Sequence, residues 1–282
     1  MSKKSLTKKI ADADVRIIFV IIFIVTAFPL LVPIGLPIPI SEEVRAAYDT
    51  IDALPPGSII IIGNEFTAPS WTELGPAWIA LMKQVIKNDI RFVMASYFYG
   101  EPPMAFTNLI QPKIQTHLDT YEYGVDWCDL GFLPGGESSL AAFASNVKFV
   151  DTDRFGNRLD DLEIFDDIHS LSDFALCVEL DPGARLDVYL RQFQETYGLP
   201  FITITYGVTK AAYMPYMASG QLSGMMAALS GGAEYEQLVK EPGVASAGMD
   251  AVSTSHMFAA LLLILGNVLY VYHEKIVKKE EE

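Results

Sequence analysis

The polar residues best placed to bind a ligand follow short apolar runs that the sequence predicts to be β-strands. Ligands of open parallel sheets bind beyond the carboxyl ends of the strands. We therefore predict a crevice at those ends, and its lining residues are Glu65, Ser96, Gly135, Gly136, Asp181 and Gly207.

The run LPGGESS at 133–139 carries the most suggestive of these signals. Two glycines directly before a predicted helix leave backbone N–H groups open to an anion, and the helix dipole adds to the attraction. However, Glu137 places a carboxylate in the first turn, and the run is neither a Walker A loop nor a G-x-G-x-x-G fingerprint. A plain tight turn is therefore favoured over an anion site.

Glu65 and Asp181 would act as an acid–base pair if their strands were neighbours. Acids at strand ends are more often solvated or cap the next helix, so this alternative is the weaker one. The chain has no G-x-S-x-G nucleophile elbow, and its four histidines do not recur at metal-ligand spacing. We predict no catalytic residue, no metal and no cofactor, although a hydrolase stays open as an alternative.

The acidic segment 151–163 resembles a calcium-binding loop only in part. An EF-hand-type loop needs an oxygen ligand at its fifth position and a glutamate at its twelfth. Here those positions hold Phe155 and Leu162, and Glu163 comes one place late. A surface turn rich in carboxylates is therefore favoured over a calcium site.

Strands and helices alternate between residues 41 and 250. Continuous apolar, β-branched runs are typical of strands buried on both faces. They are SIIIIG at 58–63, IRFVMASY at 90–97, DWCDLGFL at 126–133, FALCVEL at 174–180 and FITITY at 201–206. Helical segments separate them, so we predict an α/β domain with a mostly parallel five-stranded sheet and helices on both faces, flavodoxin-like or Rossmann-like.

A long apolar segment lies near each end of the chain. Residues 17–40 carry no charge, and residues 251–272 contain no Asp, Glu, Lys or Arg and a single histidine, His256. Both are long enough to cross a hydrocarbon core of about 30 Å. We predict two transmembrane helices flanking the α/β domain at 41–250, the first of them retained rather than cleaved, with tails at 1–16 and 273–282.

The charges of the tails predict the orientation. The two tails hold 8 Lys and Arg residues, which the positive-inside rule assigns to the cytoplasm. The domain would then lie outside the plasma membrane, where a disulfide between Cys128 and Cys177 is permitted but less favoured than two free thiols. The rest of the chain has 12 Lys and Arg against 29 Asp and Glu, a formal net charge of −17 that excludes nucleic-acid binding.

A stripe of small residues is the clearest pattern in the predicted last helix of the domain, at 213–240. Its members are Gly220, Gly224, Ala228 and Gly232, four residues apart. Small residues at this spacing let another backbone approach closely. The partner is either the domain's own sheet or a second protein, and the sequence favours neither.

The runs LGFLPGGE at 130–137 and SGQLSGMMAALSGGAEYE at 219–236 also carry a resemblance. They resemble a group of uncharacterised prokaryotic membrane proteins with two spans and one extracytoplasmic α/β domain. The resemblance implies the topology and the origin, but no activity and no site residue.

The sequence thus predicts a non-enzymatic assembly subunit of a membrane complex. We expect it to contact the lipid bilayer and either copies of itself or other membrane proteins, through the helix at 213–240. A membrane-anchored ligand-binding or sensory domain that uses the strand-end crevice is the first alternative.

Overall fold

The computed structural model describes residues 14–183 and 185–272. The chain divides into two compact units. One contains residues 1–37 and 246–282, and the other is the α/β domain at 38–245.

The α/β domain is built on one six-stranded, all-parallel sheet with the order β3-β2-β1-β4-β5-β6. This is the order of Rossmann-like folds. The strands are β1 (Ile59–Asn64), β2 (Arg91–Ser96), β3 (Trp127–Phe132), β4 (Leu176–Asp181), β5 (Phe201–Thr205) and β6 (Gly224–Ala227).

A helix follows each of the six strands, and an apolar helix lies at each end of the described chain. They are α1 (Val15–Leu31), α2 (Glu42–Asp52), α3 (Trp71–Lys87), α4 (Pro102–Ala105, a π-helical turn Phe106–Ile110, and Gln111–Leu118), α5 (Glu137–Ser145), α6 (Leu186–Tyr189, a π-helical turn Leu190–Gln194, and Glu195–Tyr197), α7 (Lys210–Ser219), α8 (Ala228–Val239) and α9 (Val244–Tyr272). Short 3₁₀ turns lie at Ala68–Ser70, Leu159–Asp161, Glu163–Asp166 and Leu171–Asp173.

A hydrophobic core fills each face of the sheet. Side chains of α2, α3, α4 and α8 pack on one face, and side chains of α5, α6 and α7 pack on the other. Alternate residues of each strand contribute to opposite cores, as Ile60 and Ile61 do in β1. Both faces of the sheet are therefore buried, which explains why the strand sequences are continuous apolar runs.

The prediction of five strands was wrong because the sheet has a sixth. The helix expected at 213–240 is α7, β6 and α8 in succession. Gly220 ends α7 in the left-handed conformation with φ +77°, and Ser223 N then donates to Phe201 O at 2.7 Å. A spacing of four residues fits the period of a strand as well as that of a helix, so the stripe of small residues did not distinguish them.

The four small residues consequently do not share one helix face. Gly220 is the C-cap of α7, Gly224 begins β6, and Ala228 begins α8, where Gly232 also lies. A Cβ on Gly232 would be 3.0 Å from Ala77 N, so this glycine packs on α3. The sequence left two partners open for these small residues, the domain's own sheet or a second protein. Gly224 and Gly232 pack against elements of the domain itself.

Cys128 and Cys177 are buried free thiols. Cys128 pairs with Val93, Val93 with Ile61, and Ile61 with Cys177, so the two cysteines are three strand spacings apart. That separation is about 14 Å, twice the reach of a disulfide.

One described helix is long and apolar enough to span a membrane. The helix α9 has 29 residues, and none of its most apolar stretch is buried. The helix α1 has 17 residues and ends at Leu31, so it is shorter than the single helix predicted over 17–40. Pro33, Pro37 and Pro39 lack the N–H group that would continue a helix.

The unit that contains α1 and α9 is held together by polar contacts. The hydroxyls of Thr26 and Ser255 are 2.8 Å apart, and Thr254 donates to Val25 O at 3.2 Å. The carboxylate of Asp250 accepts three consecutive backbone N–H groups at 2.7 to 2.9 Å, those of residues 34–36. No local sequence pattern predicts this role of Asp250.

We expect Asp250→Ala to loosen the contact between α1 and α9. The change removes the acceptor of three charge-assisted hydrogen bonds, and their net loss is about 3 kcal/mol. In a chain carrying Thr26→Cys and Ser255→Cys, the rate of disulfide formation under mild oxidation should fall. Ser253→Ala, on the same turn of α9, is the control and should leave that rate unchanged. If the double-cysteine chain forms the disulfide at the same rate with Asp250 and with Asp250→Ala, then Asp250 does not hold the two helices together.

Candidate functional site

The candidate site lies where the strand order reverses, between β1 and β4. The chain extends from β1 through β2 to β3 on one side and from β4 through β5 to β6 on the other. Ligands of Rossmann-like sheets bind beyond the carboxyl ends of the strands at this switch point. Glu65 follows β1, Asp181 ends β4, and Asn64 pairs with Leu180. The two acids therefore do sit on neighbouring strands, which was the condition for their acting together.

Glu65 is fully buried beneath the loop that follows β2. Its carboxylate accepts hydrogen bonds from Tyr97 N at 2.7 Å, Phe98 N at 3.2 Å and the Tyr189 hydroxyl at 2.9 Å. Burial raises the pKa of Glu65 to about 7, although these donors oppose the rise. The Tyr189 ring reaches Glu65 across Gly63, where a Cβ would be 2.6 Å from the ring.

Asp181 is fully buried as well and organises the turn between β4 and α6. One carboxylate oxygen accepts from Gly183 N at 3.0 Å and from Arg185 N at 2.9 Å, and the other accepts from the Tyr213 hydroxyl. A strand-end acid that caps the following turn is the role that the sequence favoured.

Glu179 is a third fully buried acid, and sequence reasoning missed it. It lies on the same face of β4 as Asp181, two residues before it, and opposite Gly63 of β1. One carboxylate oxygen accepts from the Thr203 hydroxyl at 2.8 Å, and the other has no partner among residues 14–183 and 185–272. Burial, with Asp181 nearby, raises the pKa of Glu179 well above its usual range. We call Glu65, Glu179 and Asp181 the carboxylate cluster.

Two aromatic rings and one cation lie next to the carboxylate cluster, where the backbone N–H groups of Phe98 and Arg185 donate to Glu65 and Asp181. The guanidinium carbon of Arg185 is 4.7 Å from the centre of the Phe98 ring and 5.6 Å from that of Tyr99. Its Nη2 donates to the Tyr99 hydroxyl at 3.4 Å, while its buried Nε has no partner in the described chain. We call Phe98 and Tyr99 the aromatic rim. The sequence holds no local signal for these three residues, because segments far apart in the chain bring them together.

The glycine pair of LPGGESS lies against this rim. A Cβ on Gly136 would be 3.3 Å from Phe98, and Gly136 N donates to Tyr97 O. The Glu137 carboxylate accepts from Arg191 and Gln192 rather than from the N–H groups at the start of α5. Gly135 and Gly136 both have positive φ, +131° and +58°, as the tight turn requires.

The two other predicted residues have local partners. Ser96 is buried, and its hydroxyl donates to Gly131 O at 3.4 Å. Gly207 N donates to the Glu73 carboxylate at 3.0 Å. The structure therefore brings Glu65 and Asp181 into one cluster and places the glycine pair against the aromatic rim. Among the described residues, Ser96 and Gly207 form no hydrogen bond to the carboxylate cluster or to the aromatic rim.

The acidic segment forms a turn around Asp153. Its carboxylate accepts from the backbone N–H groups of Phe155 and Asn157, from the Asn157 side chain and from the Tyr123 hydroxyl. Among the residues that the structure describes, no group of three or more His, Cys, Asp or Glu is arranged to hold a metal ion.

Comparisons of the chain with protein-family models and with curated protein sequences find no match.

Proposed function

We propose that the chain is a membrane-tethered domain that binds a small organic cation at the carboxyl ends of β1 and β4. The observation that carries the proposal is the position of Arg185. The chain places its own guanidinium over the two rings of the aromatic rim, beside three buried carboxylates. A ligand cation of similar shape would find the same partners after displacing this side chain.

The electrostatics of the site favour a cation. Aromatic faces attract cations, and the attraction grows when water is excluded. The carboxylate cluster adds partial negative charge where the strands end, because burial raises the pKa of Glu65 to about 7 and that of Glu179 well above its usual range. No Lys or Arg among the described residues forms an ion pair with the cluster. A formal net charge of −17 over residues 17–272 would also concentrate cations near the domain.

The membrane placement is part of the proposal. The helix α9 supplies a membrane-length anchor, and α1 lies beside it through Thr26 and Val25. The Lys and Arg residues of both tails favour the cytoplasm, which would place the domain outside the plasma membrane. The binding site would then sample solutes outside the cell.

The test uses n-butylguanidinium and its uncharged isostere n-butylurea on the full chain in nanodiscs. Butylguanidinium should raise the thermal midpoint of unfolding, because a ligand stabilises the state that binds it by RT ln(1 + [L]/Kd). Arg185→Ala removes the competing side chain, so the affinity for butylguanidinium should rise about tenfold, the equivalent of roughly 1.4 kcal/mol. Butylurea should bind neither protein.

Two further variants sharpen the outcome. Phe98→Leu removes a face of the aromatic rim and should weaken binding, whereas Arg191→Ala, an exposed arginine on α6, should leave it unchanged. The proposal fails if butylguanidinium stabilises neither wild type nor Arg185→Ala, or if butylurea stabilises them equally well.

The assembly role stays a prediction, but the segment 213–240 no longer supports it as a single helical surface. The hydrolase alternative also stays a prediction. Its proposed acid and base, Glu65 and Asp181, are both fully buried.

A further inference from the structure

A cavity lies at the edge of the sheet, between α4, β3 and the turn at 153–157. It has a volume of about 350 Å³. An engineered cavity of about 150 Å³ holds benzene, and natural ligand pockets begin near 300 Å³. The cavity therefore has room for one aromatic ring with substituents. We call it the β3 pocket.

Aromatic rings form most of its wall. Tyr123 lies edge-on to Trp127 at 4.8 Å and to Phe155 at 5.3 Å, and Phe106 lies 6.1 Å from Trp127. Phe155 is 60% exposed, which is unusual for a phenylalanine that contacts two other side chains of the pocket. A planar ring that entered the pocket would cover apolar surface that is now in water.

One guanidinium supplies the polar contact. Arg154 donates from Nη1 to Pro103 O at 2.7 Å and to the Asp129 carboxylate at 2.6 Å, and from Nη2 to the Thr107 hydroxyl at 2.9 Å. A guanidinium has five N–H groups, so two have no partner among the described residues. Arg154 is one of the residues that line the pocket, so these two N–H groups are donors available to a ligand there.

Three hydrogen bonds and close packing at its Cβ hold Arg154 in place. Gly131 has φ +76°, and a Cβ there would be 2.8 Å from the Cβ of Arg154, so a side chain at position 131 would displace the arginine. Asp129 is buried, and its other oxygen accepts from Gly131 N at 2.9 Å. The donors are therefore pre-organised, which lowers the entropic cost of binding.

Charge decides the class of ligand. The carboxylate of Asp129 already balances the guanidinium of Arg154, and the domain as a whole is strongly acidic. An anionic ligand would gain little electrostatic attraction from this neutralised guanidinium, and the acidic domain would repel it as it approached. An uncharged acceptor suits the two remaining donors better.

We propose that the β3 pocket binds an uncharged planar aromatic molecule that carries a carbonyl acceptor, such as an aromatic amide. The ring lies among Tyr123, Trp127 and Phe155, and the carbonyl oxygen accepts from Arg154. This site is separate from the carboxylate cluster, so it does not depend on the cation-binding proposal.

The test is a ¹⁹F NMR titration of three matched probes with the full chain in nanodiscs. The probes are 4-fluorobenzamide, 4-fluorobenzoate and 4-fluorotoluene, which offer a neutral acceptor, an anionic acceptor and no acceptor. We expect 4-fluorobenzamide to bind with a Kd on the order of 1 mM, as small ligands do. The other two should bind at least about tenfold more weakly.

Variants locate the binding. Phe155→Ala changes an exposed ring, and Arg154→Lys keeps the charge opposite Asp129 but removes the planar donors. Each should weaken 4-fluorobenzamide binding about tenfold. Tyr197→Ala, an exposed aromatic residue on α6, is the control for general surface or lipid binding and should have no effect.

Three results would overturn the proposal: no binding of 4-fluorobenzamide to wild type, equal binding to wild type and to both pocket variants, or tighter binding of 4-fluorobenzoate. Because butylguanidinium is proposed to bind at the carboxylate cluster, its affinity for Phe155→Ala should equal its affinity for wild type. Failure of one proposal therefore leaves the other intact.

Discussion

Replacing Gly224 by alanine should lower the free energy of unfolding of the α/β domain by about 3 kcal/mol. A Cβ on Gly224 would overlap the backbone N and Cα of Ala47 and lie 2.6 Å from the Ala47 side chain. Backbone atoms cannot rotate away, so β6 and α2 must separate, and overpacking of this kind costs about 1–3 kcal/mol or more. The effect should appear as a lower urea midpoint, followed by tryptophan fluorescence of the full chain in detergent.

Gly100→Ala makes the same chemical change at a site with room for it. A Cβ there would lie 3.5 Å from Phe132, an ordinary contact, so the urea midpoint should stay close to that of wild type. The comparison also tests the interface hypothesis for Gly224. If Gly224→Ala and Gly100→Ala unfold at the same midpoint, the close approach of β6 to α2 does not exist in solution. A role for Gly224 on an outer surface would then be the better explanation.

The domain should become less stable as the pH rises from 4.5 to 7. Burial raises the pKa of Glu65 from an ordinary value of 4.5 to about 7. Between these values the folded protein holds a proton that the unfolded chain has released, so stability falls by about 1.4 kcal/mol per pH unit. The contribution of Glu65 is complete below pH 4.5 and is lost above pH 7. This direction is opposite to that of an acid held in an ion pair.

Glu65→Gln should remove this part of the pH dependence. The difference in unfolding free energy between pH 5 and pH 8 should shrink by about 2.5 kcal/mol relative to wild type. Glu179 and Asp129, whose pKa values burial also raises, are present in both proteins. The measurement is a series of urea titrations across that range of pH.

Glu137→Gln is the surface control for this experiment. Hydrogen bonds from Gln192 and Arg191 lower the pKa of Glu137, so its titration lies below pH 5. The slope between pH 5 and pH 8 should therefore match that of wild type. A wild-type slope that survives in Glu65→Gln would mean that Glu65 is ionised in the folded protein at pH 5.

The α/β class and most element boundaries follow from local sequence patterns. Five of the six strands begin and end within two residues of the apolar runs that predicted them. A strand buried on both faces must be apolar throughout, so its own residues reveal it. The Pro-Pro-Gly at 55–57 cannot continue a helix, so the end of the preceding helix is likewise visible in the neighbouring residues. The apolar character of α9 is likewise local.

The site was predictable only in outline. Glu65 and Asp181 stood out because each follows an apolar strand. That β1 lies beside β4 is a property of the strand order, which no single segment encodes. The role of Glu179 was not predictable, because a single acid within an apolar run does not reveal which face of the sheet it occupies. The strand register, in which Glu179 pairs with Gly63, supplies that information.

The sequence by itself therefore determined the alternation of strands and helices, the apolar helix α9 and the strand-end position of two acids. Tertiary structure alone decided three features. It divided 213–240 into α7, β6 and α8, it placed Arg185 over the aromatic rim, and it formed the β3 pocket from residues 106–155. The physical reason is the range of the interactions. Burial and backbone preference act on neighbours in sequence, whereas strand pairing and side-chain contacts join segments whose proximity exists only after the sheet has formed.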